Sequence, residues 1–459
     1  MKPDLPIVNS VELNTSSTLE LTNNEFKPNK DQEASAYERN PQREGKYTTS
    51  NIGAFLHIVK SSLGSGFLAM PYAFHNAGLL AGLIGTSLVA MLCAHCTHIL
   101  VKSSQELCYI LNKPKLSYSE TVEAAFRIRA GTKYSKYTRI ARHTMNFFMF
   151  FTYYGVNTVY VILIANSFKQ VLENHTDIDL NIRWYCVALV IVLLPVGIVR
   201  HMKFLVPFSA IANTLLMISF IIIMYYIIID LPPITSRPMV VEIGKWPLFF
   251  STALFGMEGI GTVMPIENSM KKPNSFLGCP GVLNFGMSVI GGTFIVIGFF
   301  GYLRFGEAVE GSISLNLSTN VLSEVIKIFV ALSILFTYGL QLTASMEVVW
   351  EYVQSNFADE QKNKGYYIVR TLMILGTVVI AVLVPNLSPV LSLVGAFGFS
   401  GLGILFPSVV ETIVFWECGY KPFQFGFLKN IFLLLIWIVA TITGTYSSIE
   451  EIITQYRLG

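Results

Sequence analysis

Two stretches decide how this chain folds: SSLGSGFLAMP at residues 61–71 and LFGMEGIGTVMP at residues 254–265. Each interrupts an apolar run that is otherwise long enough to cross a bilayer. Hydrocarbon offers no partner for a free backbone N–H or C=O, so such a break survives only where protein buries it or where it lines a cavity. The cavity is the expected binding site. The breaks fall in the first and sixth apolar segments, corresponding places in two halves of five, which predicts an inverted repeat with its site midway across the membrane.

Composition agrees with a chain built for lipid. At 459 residues, 53% apolar and 13% charged, with a mean hydropathy of +0.54, the sequence is too apolar for a soluble domain of its length. The expected architecture is an all-α polytopic membrane protein with eleven spans at residues 51–74, 78–101, 137–168, 184–199, 204–229, 246–270, 282–303, 321–347, 366–384, 387–415 and 427–446. In domain terms, residues 1–48 are a disordered tail, 49–230 the first repeat, 231–416 the second, and 417–459 an extra helix with a short tail.

The net charge of +3 follows topology and does not point to nucleic acid. About 24 of the 32 Lys and Arg residues lie in the N-terminal tail or on the side of the loops that follow even-numbered spans, and about six on the other side. That places the N-terminus in the cytoplasm and the C-terminal tail outside. Residues 1–50 lack a hydrophobic leader core, so insertion is expected to begin with the first span. The sequons at Asn174 and Asn316 fall in expected outer loops and are candidate glycosylation sites, whereas the one at Asn14 is in the tail. The six cysteines show no secreted-type framework, and no structural disulfide is expected. Neither tail carries a strong sorting signal, which leaves the plasma membrane and a lysosomal or endosomal membrane both open.

Within the first span, His57, Lys60 and Gly64 recur at helical spacing, so His57 lies about two turns, roughly 10 Å, from the break on the same face. It is a candidate proton acceptor, with a neutral packing histidine as the alternative. Glu258 sits inside the second break between Gly256, Gly259 and Gly261. It is the second protonation candidate; the alternative is a carboxyl that hydrogen-bonds freed amides of the first break. Freed amides of Leu63, Gly64, Ser65 and Gly66 at the start of a half-helix suit a carboxylate, and carbonyls around Phe255 and Gly256 suit an ammonium. Together they describe an amino acid zwitterion. Ser61, Ser62, Met257, Gly259, Tyr153 and Tyr338 complete the expected pocket. Close packing of small residues is the competing account of the glycines, but it requires neither Pro71, nor Pro265, nor a buried acid.

Cys93, His95, Cys96 and His98 resemble metal ligands by type only, since His95 points about 200° away from Cys93 around the helix. No metal or other cofactor is expected. His95 and His98 read as interfacial residues, and Glu267, Asn268, Lys271 and Lys272 as a polar network at the inner mouth. Residues 118–129, YSETVEAAFRIR, form a short amphipathic helix with a cap at Ser117 or Ser119, expected on the inner membrane surface. No nucleophile elbow, phosphate loop or HExxH is present, so an enzyme is not expected.

These segments resemble the proton-coupled amino acid transporter family of the amino acid/auxin permease superfamily. The likeness is carried by GAFLHIVKSSLGSGFLAMPYAFHNAG at 53–78, HCTHILV at 95–101, LVPFSAIAN at 205–213, FGMEGIGTVMPIENSMKKP at 255–273 and FTYGLQ at 336–341, and spans about 49–446. It implies eleven spans with a LeuT-like core of five plus five inverted helices and one extra C-terminal helix. It further implies proton-driven symport of small neutral amino acids, with the family's coupling histidine at His57 and its sixth-helix acid at Glu258. Ser62 stands where many relatives have Asn, LAMP at 68–71 replaces LGLP, the outer-loop cysteine pair of vertebrate relatives is not evident, and TYYGVNTVY at 152–160 looks more like the insect branch. Two other accounts compete with symport. One is an amino acid sensor that signals through a partner of its N-terminal tail, and the other a facilitative or sodium-coupled carrier with Ser61, Thr337 and Thr343 offering oxygens.

Overall fold

The computed structural model describes residues 49–130, 135–176, 180–200, 202–257, 259–278, 281–416 and 424–458. Among these, helix is the only regular structure apart from a single bridge. The first apolar run is broken as expected: α1 (Asn51–Leu63) ends at Gly64, which leaves helical geometry at φ −4° and ψ −125°, and α2 (Gly66–Ala77) restarts after Ser65. The two halves are bent by 54°. The sixth run is broken more gently. It comprises α9 (Trp246–Gly256) and α10 (Ile260–Ser269), which together still read as one crossing, Ile243–Ser269.

Between them lie α3 (Leu79–Ile110), α4 (Tyr118–Ala130), α5 (Ser135–His175), the short pair α6 (Ile182–Ala188) and α7 (Val190–Ile198), and α8 (Met202–Ile228). After α10 come α11 (Val282–Phe305), α12 (Val321–Val353), α13 (Lys362–Leu383), α14 (Leu387–Leu393), α15 (Phe406–Val414) and α16 (Phe425–Leu458). Nine helices among the described residues are long and apolar enough to span a bilayer, or ten with the bent first pair, and Ile182–Ile198 is a shorter apolar helix.

Several helices outrun the expected spans. Helix α5 extends to His175 and α16 to Leu458, so residues 447–458, expected as a short tail, continue the last helix. Hydropathy marks where lipid ends, whereas the backbone ladder continues as long as neighbours support it. The tenth span holds a different surprise: between α14 and α15 the chain adopts π-helix at Val394–Phe399 and Gly401–Leu405. Such widened turns are uncommon and concentrate at functional regions.

Packing follows small residues, because lipid supplies no hydrophobic drive between helices. The Phe74 ring lies against Gly82 of α3 and Gly298 of α11, and Pro71 against Gly301. Gly78 turns the chain at φ +95°, with the Met239 carbonyl where a β-carbon would sit. Helix α2 packs on α9 and α11, and α5 on α12; α13 joins α5, α6 and α7, while α8 packs on α12.

Helix α4 does not lie free on a lipid surface. Tyr118, Thr121, Val122, Ala124 and Ala125 are buried against α5 and α15, and the Tyr118 hydroxyl donates to the Leu402 carbonyl. Its apolar face has found protein instead of lipid. The cap is Ser117: Ser117 N donates to Glu120 at 2.7 Å and Glu120 N donates back to the Ser117 hydroxyl at 3.3 Å. Arg142 of α5 then ties Glu123 of α4 at 2.8 Å to Glu351 of α12 at 2.5 Å.

Candidate functional site at the paired helix breaks

The two breaks meet. A β-carbon on Gly66 would lie 2.2 Å from the Gly256 carbonyl oxygen, and one on Gly259 would lie 2.0 Å from the Ser62 hydroxyl. Only glycine permits such approach. A hydrogen bond from the Thr262 hydroxyl to Ser61 Oγ, 3.0 Å, fastens α10 to α1 beside the breaks, and Ser61 donates in turn to the Ile58 carbonyl at 3.0 Å. Thr262 went unnoticed in the sequence, although its place one turn past the second break could have flagged it.

Ser65 is the residue with most chemistry to spare. It precedes α2, it is 7% exposed, and its hydroxyl has no hydrogen-bond partner among the described residues. A buried hydroxyl left unpaired costs free energy of about 1–3 kcal/mol, a cost that a ligand oxygen can remove. The amides of Gly66 and Phe67, the first two of α2, stand beside it without a partner inside the helix, whereas the Leu68 amide donates to the Ser65 carbonyl at 3.2 Å. A carboxylate fits this donor set.

Tyr153 comes to the second break from α5: a β-carbon on Gly261 would fall on its hydroxyl, 1.5 Å away. One turn on, Asn157 is fully buried with its side-chain oxygen unpartnered, a residue of the same face that sequence reasoning missed. Phe255 is fully buried and meets Phe399 of the π-helical segment edge-on at 5.8 Å. Met257 caps α9, buried, and donates its N–H to Ala253 at 3.1 Å. Leu63 closes α1. Glu258 lies outside the described residues.

Other expectations are placed elsewhere. Tyr338 is fully buried, but its hydroxyl shares a 2.8 Å hydrogen bond with Thr377 of α13 and its ring faces Gly197 of α7, so it belongs to the supporting helices instead of the pocket wall. Helical spacing gives a residue's face but not the neighbour that face meets. His57 is exposed and has no hydrogen-bond partner among the described residues. Lys60, also exposed, reaches Ser209 of α8 at 3.4 Å. Thr343, expected among sodium ligands, accepts from the Arg370 guanidinium at 3.1 Å, which puts a fixed cation where a sodium ion would need an oxygen. Thr337 donates to the Ser333 carbonyl at 2.9 Å.

At the Asn51 end, Thr49 pairs with Met270 in a parallel bridge, with Thr49 N donating to Ser269 at 2.7 Å and Lys271 N to Thr49 at 3.1 Å. The start of the first broken span is thus tied to the end of the sixth. Glu267 is buried and accepts from Gln105 at 3.0 Å, and Asn268 donates to the Leu116 carbonyl at 2.8 Å. His95 and His98 sit near an ion pair of 2.8 Å between buried Glu411 and half-buried Lys429, and no group of three His, Cys, Asp or Glu among the described residues is placed to hold a metal. Of the sequon residues, Asn174 donates to Glu324 at 3.1 Å, and Asn316 donates to Ala308 at 2.6 Å while accepting from Glu310 N at 2.9 Å.

A many-helix membrane protein whose two broken helices present bare backbone to one another belongs, by fold and site, with membrane carriers of small solutes. The particular assignment follows from comparison: the transmembrane amino acid transporter protein model matches residues 47–452, and the chain belongs to that family. It is 36% identical to the proton-coupled amino acid transporter-like protein pathetic of Drosophila melanogaster, over 90% of this chain and 88% of that protein. It is 26% identical to amino acid transporter AVT3C of Arabidopsis thaliana, over 89% of this chain and 92% of that one. Its relatives are transporters, not enzymes.

Proposed function

We propose that this protein carries a small neutral amino acid across its membrane together with a proton, by alternating access around the paired breaks. The observation that carries the reading is Ser65: a buried, unpartnered hydroxyl at the start of α2, directly beside the contact between Gly66 and Gly256. In this reading Ser65 and the first amides of α2 hold the carboxylate. Carbonyls freed around Gly256, with the Asn157 oxygen, hold the ammonium. Tyr153, Phe255 and Met257 bound the side chain, and the glycine contacts keep that space small.

The pattern of helix contacts supports eleven spans with a five-plus-five repeat. Counting the Ile182–Ile198 helix as the fourth span and the last helix as an eleventh, spans one to four each touch the span five places later. Three further sets of contacts come in exchanged pairs: first with seventh and sixth with second, third with ninth and eighth with fourth, fifth with eighth and tenth with third; the packing of the sixth span on the tenth departs from the pattern. An inverted repeat produces this pattern.

The state is asymmetric. Every residue of α2 except His75 is buried, whereas α1 leaves Leu56, His57 and Lys60 exposed. That is the arrangement of a carrier closed on the α2 side and loosened on the α1 side. His57, uncommitted to any described partner, is the proton acceptor in this scheme, with Glu258 the second. One proton supplies about 2.3 kcal/mol per 100 mV and about 1.4 kcal/mol per pH unit, enough to concentrate a neutral amino acid several-fold.

The test is uptake into proteoliposomes under an imposed pH gradient, comparing wild type with His57→Ala. Proton symport requires that the gradient accelerate wild-type uptake and that His57→Ala lose the acceleration. Uptake indifferent to the gradient in wild type would remove the proton from the scheme.

A further inference from the structure

The end of α2 remote from the break carries a cluster of side chains that the transport reading does not use. The Tyr72 hydroxyl donates to both oxygens of Glu451, at 3.0 and 3.2 Å, across 379 residues of sequence. One turn on, His75 Nε2 meets Glu307 Oε2 at 2.9 Å, and the Tyr72 and His75 rings stack with centroids 6.1 Å apart. Glu451 belongs to α16, the helix outside the repeat, and Glu307 to the segment that follows α11. The other groups facing the cluster are Gln455 of α16, whose side-chain amide donates to Glu451 at 3.4 Å, Asn76 and Ser388 beside the Tyr72 hydroxyl, Tyr302 of α11, whose ring is 5.9 Å from His75, and Arg237, which donates to the Leu303 carbonyl at 3.3 Å and lies against Gly306.

We propose that Tyr72–Glu451 and His75–Glu307 form a two-sided latch that holds α2 closed over the binding site, with Glu451 as a positioning residue supplied by the last helix. The inference rests on the transport reading. Ser65, Ala69 and Tyr72 follow one another at i, i+4 and i+7 and share a face of the chain, so a route to Ser65 from this end runs beneath Tyr72. Both carboxylates come from elements other than α2, so the two bonds tie the half-helix to the last helix on one side and to the segment after α11 on the other. The bonds are also of a breakable kind. Tyrosine is a neutral donor, and the Glu307 side chain is 73% exposed, where water competes for its partner. Helix α16 is fixed independently of the latch, with Gly444 packed against Ser251 of α9 and Ala396 of the π-helical segment. It therefore offers a stationary post for a moving half-helix.

The experiment is cysteine accessibility in the full-length protein. Ala69→Cys is labelled with a membrane-impermeant thiol reagent from the side that bears His75, alone and combined with Tyr72→Phe, Glu451→Ala or Glu451→Gln, and corrected for labelling of the parent chain. Loss of one hydrogen bond to a carboxylate is expected to raise the labelling rate about tenfold in Tyr72→Phe and Glu451→Ala, with the double variant no faster than either. Glu451→Gln retains an acceptor for Tyr72 and should stay near the parent rate, which a purely electrostatic or packing role of Glu451 does not predict. Equal labelling with and without Tyr72→Phe, an isosteric change, would overturn the latch. Flux is read separately on the same variants: a wild type that binds without transporting defeats the transport reading, whereas unchanged labelling defeats the latch alone.

Discussion

Gly66 and Gly256 meet so closely that a β-carbon on the first would lie 2.2 Å from the carbonyl oxygen of the second. This contact joins the two breaks, and the proposed site is built on it. It brings the start of α2 beside the end of α9.

Gly66→Ala is therefore expected to force the breaks apart. Displacement on the scale of an ångström should lower uptake per molecule on the order of a hundredfold, while the protein still reaches the membrane. Radiolabelled uptake normalised to surface copies measures the effect, and near-normal uptake would show that the breaks need not touch.

On the proposed site, Ser65→Ala removes one donor to the substrate carboxylate without altering the backbone. Its apparent KM is expected to rise about tenfold with little change in maximal rate. Ser62→Ala, at a hydroxyl that packs against Gly259, is the comparison that separates loss of a ligand contact from loss of a helix contact.

Arg370 tests the supporting helices. It is fully buried and donates to the carbonyls of Gly197, Val199 and Gly339, to the Thr343 hydroxyl and to the Tyr366 hydroxyl at 2.8 Å, closing the end of α7 where the helix leaves its own carbonyls unpaired. Arg370→Met leaves those acceptors unmatched and should destabilise the protein on the order of 3 kcal/mol. Thermal unfolding in detergent reads this directly, and Arg370→Lys should recover only part of it.

A pH dependence is built into the cap of α4. The backbone N–H of Ser117, and secondarily its hydroxyl, hold Glu120 below the ordinary carboxylate value of 4.5. A depressed folded-state value contributes stability above the unfolded value that is lost as pH falls through the folded one. Amides of the first turn of α4 are thus expected to exchange faster as pH falls below 4.5, once the intrinsic rate is corrected for, and Glu120→Gln should exchange alike at either pH. Equal protection in wild type across that range would contradict the cap.

What could be read in advance was chiefly what lipid enforces. Glycine and proline inside apolar runs marked both breaks, because no other setting tolerates freed backbone in hydrocarbon. Their contact was only implied, since nothing in one stretch names its partner 190 residues away. Tyr338 was assigned to the pocket on its chemistry and turned out to bond Thr377, because a period of 3.6 residues fixes a face but not what the face meets. Helix α4 was expected against lipid for the same reason: an apolar stripe looks alike whether protein or bilayer covers it. The Tyr72–Glu451 bond joins the first span to the last and leaves no local trace.

The most direct test of the central claim is competition in proteoliposome uptake, pitting a labelled small neutral amino acid against its methyl ester and its N-acetyl derivative. A site that holds the carboxylate at Ser65 and α2 and the ammonium at the freed carbonyls near Gly256 predicts saturable uptake that the parent amino acid blocks and that neither derivative blocks at tenfold higher concentration. Equal inhibition by the ester or by the N-acetyl compound, or specific binding with no uptake at all, would contradict it.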